Sequence, residues 1–121
     1  MHLVISLKSN QPIYEQLFEQ IASQILSGEL HPGELLPSIR SVAKDLGISI
    51  ITIKKAWELL EEKRFIFTKQ GVGCFVTKFE PKKLKNKKRS EVLERLSNDL
   101  KFYKQLGLSL EELLSLIREE Y

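Results

Sequence analysis

The stretch "GISIITIKKAWELL", residues 47–60, decides the fold. Its first half, Ser-Ile-Ile-Thr-Ile, is β-branched and stiff at χ1, a composition suited to a pleated strand. Its second half reads as helix. The two readings are separated by period. Ile53, Ala56, Trp57 and Leu60 recur at i, i+3, i+4 and i+7, so the helical repeat runs back through Ile53. The spacing predicts one helix over about residues 49–63, capped by the Ser49 hydroxyl.

The same pattern stands just upstream. In "SIRSVAKDLG", Ile39, Val42, Ala43 and Leu46 are spaced i, i+3, i+4, i+7, with Ser38 as the cap and Gly47 as the stop. Two short amphipathic helices with so brief a break make a helix-turn-helix pair. Before them, Ile13, Leu17, Ile21 and Ile25 mark a longer helix over about 12–27, opened by Pro12 and ended by Gly28. "HPGELLP" between the two reads as a loop, and the opening "LVISL" as a short strand.

After Leu60 the period changes. "RFIFTK" and "GCFVTK" are β-rich runs separated by "QGVG", which predicts a hairpin with a glycine-containing tip. Helix, short helix, three-residue break, helix, hairpin is the order of a winged helix-turn-helix. The expected fold is therefore mainly α with a small β-hairpin wing, over residues 1–80. Such a fold presents the N-terminal residues of its second paired helix to a DNA major groove.

Pro81 marks a boundary. Residues 79–89, "FEPKKLKNKKR", hold six basic side chains and one acidic, whereas residues 1–78 hold nine and eight, and residues 90–121 four and seven. The net charge of +3 is thus concentrated in one segment, a linker or the exposed start of a helix. It serves either phosphate attraction or plain solvation. Beyond it, Val92, Leu93, Leu96, Leu100 and Tyr103 form one helical stripe. "GLS" breaks it, and Ser109 caps a last helix carrying Leu113, Leu114 and Ile117. A two-helix tail over 81–121 is too small to stabilise itself, so its apolar surface must cover the first domain or another chain.

Several function classes find no support. No nucleophile, base and orienting group can be assembled, so the chain does not read as an enzyme. His2 and His31 are isolated, and no cluster has metal-ligand spacing, so neither metal nor cofactor is expected. "GVGCF" lacks the strand–loop–helix setting of a nucleotide loop. The single Cys74 reads as an inert thiol in a strand and suits a reducing, cytoplasmic setting. No apolar run is long enough for a membrane span, and the first ten residues do not form a secretion signal. Tyr14, Phe18 and Trp57 read as packing residues.

Motifs narrow the reading. The "PIYEQ" start, the "SGELHPGELLPSIR" loop and cap, "LGIS" leading to "TIKKA", and the "QGVGCFV" wing resemble the DNA-binding domain of the GntR family of bacterial transcription regulators. The resemblance covers about residues 8–78, with the separated motifs in the family's order and spacing. The short helical tail looks like the YtrA subfamily. The resemblance implies a cytoplasmic homodimer paired through its C-terminal helices, binding a double-stranded, two-fold symmetric operator. It also implies a repressor, often of its own transporter-containing operon.

By the same resemblance, Arg40 of the "PSIR" motif contacts DNA, as do Ser49, Ile50, Ile51, Thr52 and Lys54 at the start of the recognition helix. Gly71, Val72 and Gly73 at the wing approach the minor groove. Chemistry agrees: arginine can donate to guanine O6 and N7, and Lys54 and Lys55 can neutralise phosphates without reading sequence. Two departures stand out. Relatives often carry arginine at Ile50 and threonine or asparagine at Ile51; aliphatic side chains there can touch only thymine methyls, which suggests an A·T-rich site. Relatives also often carry glycine at Arg64. If the backbone there is left-handed, arginine costs roughly 1 kcal/mol relative to glycine. Exposed Ile50 and Ile51 also suit a different reading, a winged-helix module that binds another protein.

Overall fold

A computed structural model describes all of residues 1–121. Five helices and one hairpin follow in the order α1 (Ile13–Ser27), α2 (Ile39–Leu46), α3 (Ile50–Glu62), β1 (Ile66–Lys69), β2 (Gly73–Val76), α4 (Pro81–Gln105) and α5 (Leu110–Glu120). They form two compact units, Met1–Glu80 and Pro81–Tyr121.

In the first unit, α3 packs on α1, α2 and β1. Ile53, Ala56, Trp57 and Leu60, the stripe read from the sequence, are all buried against Leu17, Ile21, Val42, Phe65 and Val76. The β-branched opening of α3 is helical because Ser49 caps it: its hydroxyl accepts from the Thr52 N–H. Ser38 caps α2 in the same way through the Ser41 N–H, and Gly47 closes α2 in a left-handed conformation. Between these caps the chain turns in three residues, which fixes the α2–α3 pair.

The hairpin pairs Ile66 with Val76 and Lys69 with Gly73, antiparallel. The sequence reading took "HPGELLP" as loop alone. Part of it instead lies along β2. Gly33 and Leu36 donate to the carbonyls of Val76 and Cys74, Val76 donates back to Glu34, and Leu35 bridges Phe75. This irregular third edge anchors the wing beside the N-terminus of α2.

Arg64 is the one non-glycine residue with positive φ, at 64°. It ends the α3 turn, where the Phe65 N–H reaches back to the Leu60 carbonyl. The left-handed strain expected at this position is present. Arg64→Gly should therefore raise stability by about 1 kcal/mol, near 4–8 °C in Tm for a domain of this size. A thermal melt that leaves Tm unchanged or lowered contradicts this.

"LVISL" is not a strand. Residues 1–12 are irregular, and their backbone is held by glutamines of α1. Gln16 accepts from the Ser6 N–H and donates to the Ser6 carbonyl; Gln20 does the same with Val4; Gln24 donates to the His2 carbonyl. Four residues of helix advance about 6 Å and two residues of extended chain about 6.6 Å. Glutamines at i, i+4 and i+8 therefore meet every second residue of the segment. The ladder thins at its end, where Gln24 Oε1 is buried without a partner. Leu3 and Ile5 turn inward against the core. Side-chain amides thus replace the neighbouring strand that the pattern led one to expect.

The second unit has a different character. The basic segment is the start of a helix: Pro81 occupies the first position of α4, where a missing N–H carries no penalty. No residue of α4 is buried. α5 begins with a capping box, in which the Ser109 hydroxyl accepts from the Glu112 N–H and the Glu112 carboxylate accepts from the Ser109 N–H. Leu113 alone in this unit is buried, while Val92, Leu93, Leu96, Phe102, Leu116 and Ile117 are exposed.

Candidate nucleic-acid interface

Arg40 lies in the first turn of α2 and is exposed. Its helix is set by the Ser38 cap, and its surroundings by the loop that pairs with β2. Together these place Arg40 on the rim of a cleft of about 400 Å³, lined also by Pro37, Ser38, Trp57, Val72 and Gly73. Two expected contact elements, the PSIR arginine and the wing, therefore share one surface feature.

The wing tip owes its form to glycine. Gly73 has φ 145°, and a Cβ there would come within 2.9 Å of Leu35 Cδ1. A side chain there would have to shift the exposed Leu35 side chain and would adopt a φ that L residues rarely take. Val72 donates its N–H to the Lys69 carbonyl and keeps its side chain exposed. Lys69, opposite Gly73 in the register, was not among the residues expected. Its ammonium lies 5.1 Å from the Phe75 ring centroid, and Phe75 stacks with Phe67 across the hairpin. The signal in the sequence was a lysine flanking the "QGVG" tip.

At the start of α3, Ser49, Ile50 and Ile51 are exposed and Thr52 is half-exposed. Ser49 and Thr52 hydroxyls also bond each other at 2.9 Å, which pre-orients both. Ile51 is 80% exposed and Ile50 45%. An isoleucine left that open at a capped helix start covers nothing within the chain. The same helix end offers backbone N–H groups without helical partners and the positive pole of the helix dipole, which together favour a phosphate.

The two lysines of α3 separate. Lys54 approaches Glu58 at 4.0 Å with both side chains 65% exposed, a pairing too loose and too solvated to hold it. Lys55 instead sits 4.1 Å from the Tyr14 ring centroid on α1. Burial, then the Glu15 carboxylate beside it, raise the Tyr14 hydroxyl above its usual range. Lys55 thus has a packing role that spacing along α3 alone did not reveal.

No group of three or more His, Cys, Asp or Glu side chains is placed to hold a metal. Cys74 is half-buried, 3.4 Å from the Thr68 hydroxyl. No helix is long and apolar enough to cross a membrane.

Comparison with known proteins gives this surface a context. Residues 13–76 match the family model for bacterial regulatory proteins of the gntR family. The HTH-type transcriptional repressor YtrA of Bacillus subtilis is 31% identical over 115 residues, which cover 95% of this chain and 88% of that one. A crystal structure described as a transcriptional antiterminator from Listeria monocytogenes superposes with TM-score 0.76 at 33% identity, over 99% of this chain and 90% of that one. The DNA-binding domain of AraR, solved in complex with an operator, superposes with TM-score 0.56 at 29% identity, over 64% of this chain and 99% of that one. The matched span holds α1 to β2, the elements that build the surface just described. With a YtrA-like tail following a winged helix, the chain belongs to the GntR family of DNA-binding transcription regulators.

Proposed function

We propose that the protein is a homodimeric repressor that reads a two-fold symmetric operator through Arg40, the first turn of α3 and the wing. The observation that carries this reading is the contrast between the two units. The first unit buries its apolar stripes, whereas α4 and α5 leave Val92, Leu93, Leu96, Phe102, Leu116 and Ile117 open. A second copy covers such a surface with itself, and closed two-fold pairing goes with a palindromic site. The similarity to the repressor YtrA over nearly the whole chain supports the direction of regulation.

In each half-site Arg40 donates to guanine, Ser49 and Thr52 bond phosphate or a base edge, and Lys54 neutralises a phosphate. Gly71, Val72 and Gly73 carry the wing backbone towards the minor groove. Ile50 and Ile51 contribute apolar contact, which only the thymine methyl offers in the major groove. Lys55 adds charge close by while it stays on Tyr14.

Selection of duplexes from a random pool with the full chain tests this. The expected result is a two-fold symmetric site with thymine in each half. Replacing that thymine by uracil, which removes only the methyl, should weaken the wild type and leave Ile51→Ala unaffected. No duplex affinity even at low salt would end the DNA reading and leave Ile50 and Ile51 as contacts for another protein.

A further inference from the structure

We propose that Lys82, Lys85 and Arg89 on α4 form a second DNA-contacting element, a stripe that binds backbone phosphates of the duplex that the winged helix reads. The proposal rests on the DNA-binding reading above and adds a surface outside the winged helix.

The three residues stand at i, i+3 and i+7, on one face of α4, and all are exposed. Their neighbours on the helix surface set them apart from the other bases of the segment. Positions three and four residues away from Lys82, Lys85 and Arg89 hold no carboxylate. Lys83 has Glu80 three residues before it, Lys88 has Glu91 three after, and Lys87 pairs with Glu91 at 3.5 Å. The acid side chains of this stretch thus accompany only the bases off the stripe.

The stripe also opposes the helix that carries it. The first turn of α4 contains no acidic residue and bears Lys82 and Lys83, at the end where the macrodipole is positive. Lys85 and Arg89 repel each other at i, i+4. A solvated spacer has no need of this placement; Glu in the first turn would make a better helix. An external polyanion reverses both penalties. Along the axis the three charges span about 10 Å, which corresponds to roughly three phosphates of one strand. Only residues 77–80 separate β2 from α4, so once the wing meets a duplex any contact by α4 is intramolecular.

The test uses the full chain with K82Q/K85Q/R89Q, and as a charge-matched control K83Q/K87Q/K88Q. Glutamine keeps helix propensity, and circular dichroism with sedimentation verifies fold and assembly. The slope of log Kobs against log salt should fall in magnitude by roughly 0.9 for each lost phosphate contact. For three contacts the stripe variant's loss of affinity between about 50 and 200 mM salt shrinks about 40-fold per engaged protomer. The ratio of specific to random-duplex affinity should not change, and the control should move the slope far less. An unchanged slope in the stripe variant, or equal falls in both variants, overturns the proposal while leaving the winged-helix reading intact. If the wild type itself binds no duplex, both readings fall together. Stripe-dependent binding to vesicles of anionic lipid, with the DNA slope unchanged, would assign the stripe to a membrane surface and overturn it as well.

Discussion

Ending the chain after Glu80 is expected to weaken operator binding by about 10²–10⁴-fold while leaving the winged helix folded. The first unit keeps its own core, since every buried apolar residue except Leu113 lies within it. What truncation removes is the surface proposed to pair the protomers. Two half-sites read by linked domains bind with the second contact intramolecular; two separate domains lose that advantage, and with it the phosphate contacts proposed for the α4 stripe. On a single half-site the truncated chain should therefore fall short of one protomer of the intact protein only by the salt-dependent share of that stripe. Sedimentation gives the independent measure. A truncated chain that still sediments as a dimer refutes the role assigned to α4 and α5.

Arg40→Ala should have the next largest effect, a loss of about 1–3 kcal/mol on the selected site, or roughly 5- to 150-fold. The side chain is exposed on the rim of the cleft it shares with the wing, so its removal opens no cavity and melting should not change. The loss should be specific. A bidentate donor to guanine discriminates against the other bases at one position, whereas a phosphate contact weakens all sequences alike. Binding of the variant should tolerate any base at that position. Equal losses on the selected site and on random DNA would show that Arg40 only neutralises a phosphate.

Much of the architecture could be read from local pattern, because its determinants are local. Ile53, Ala56, Trp57 and Leu60 announced their buried face by spacing alone, and Ser38, Ser49 and Ser109 announced three helix starts by capping chemistry. Arg64 could be flagged because the resemblance puts glycine at that position, and the structure gives the left-handed φ of 64° that such a glycine serves. Features set by distant partners were not readable. Glutamine is scored as polar surface, so nothing in Gln16, Gln20 and Gln24 disclosed that they would hold residues 2–6. The pairing of Gly33–Leu36 with β2 depends on where the hairpin lands. Lys55 looked equivalent to Lys54 until the crossing of α1 and α3 put Tyr14 beneath it. For the candidate site, the motif gave the residues, and the fold supplied the shared cleft of Arg40 and the wing.

The glutamine ladder has a bearing on how the chain avoids misassembly. "LVISL" is short, uncharged, β-branched and free of proline, the makings of a segment that recruits copies of itself edge to edge. Cross-β growth requires both edges of every strand. The amides of Gln16 and Gln20 occupy the backbone N–H and carbonyl groups of Val4 and Ser6 along one edge, where a further strand would have to pair. Two polar side chains on a helix thereby close one edge of the segment to the addition of a strand.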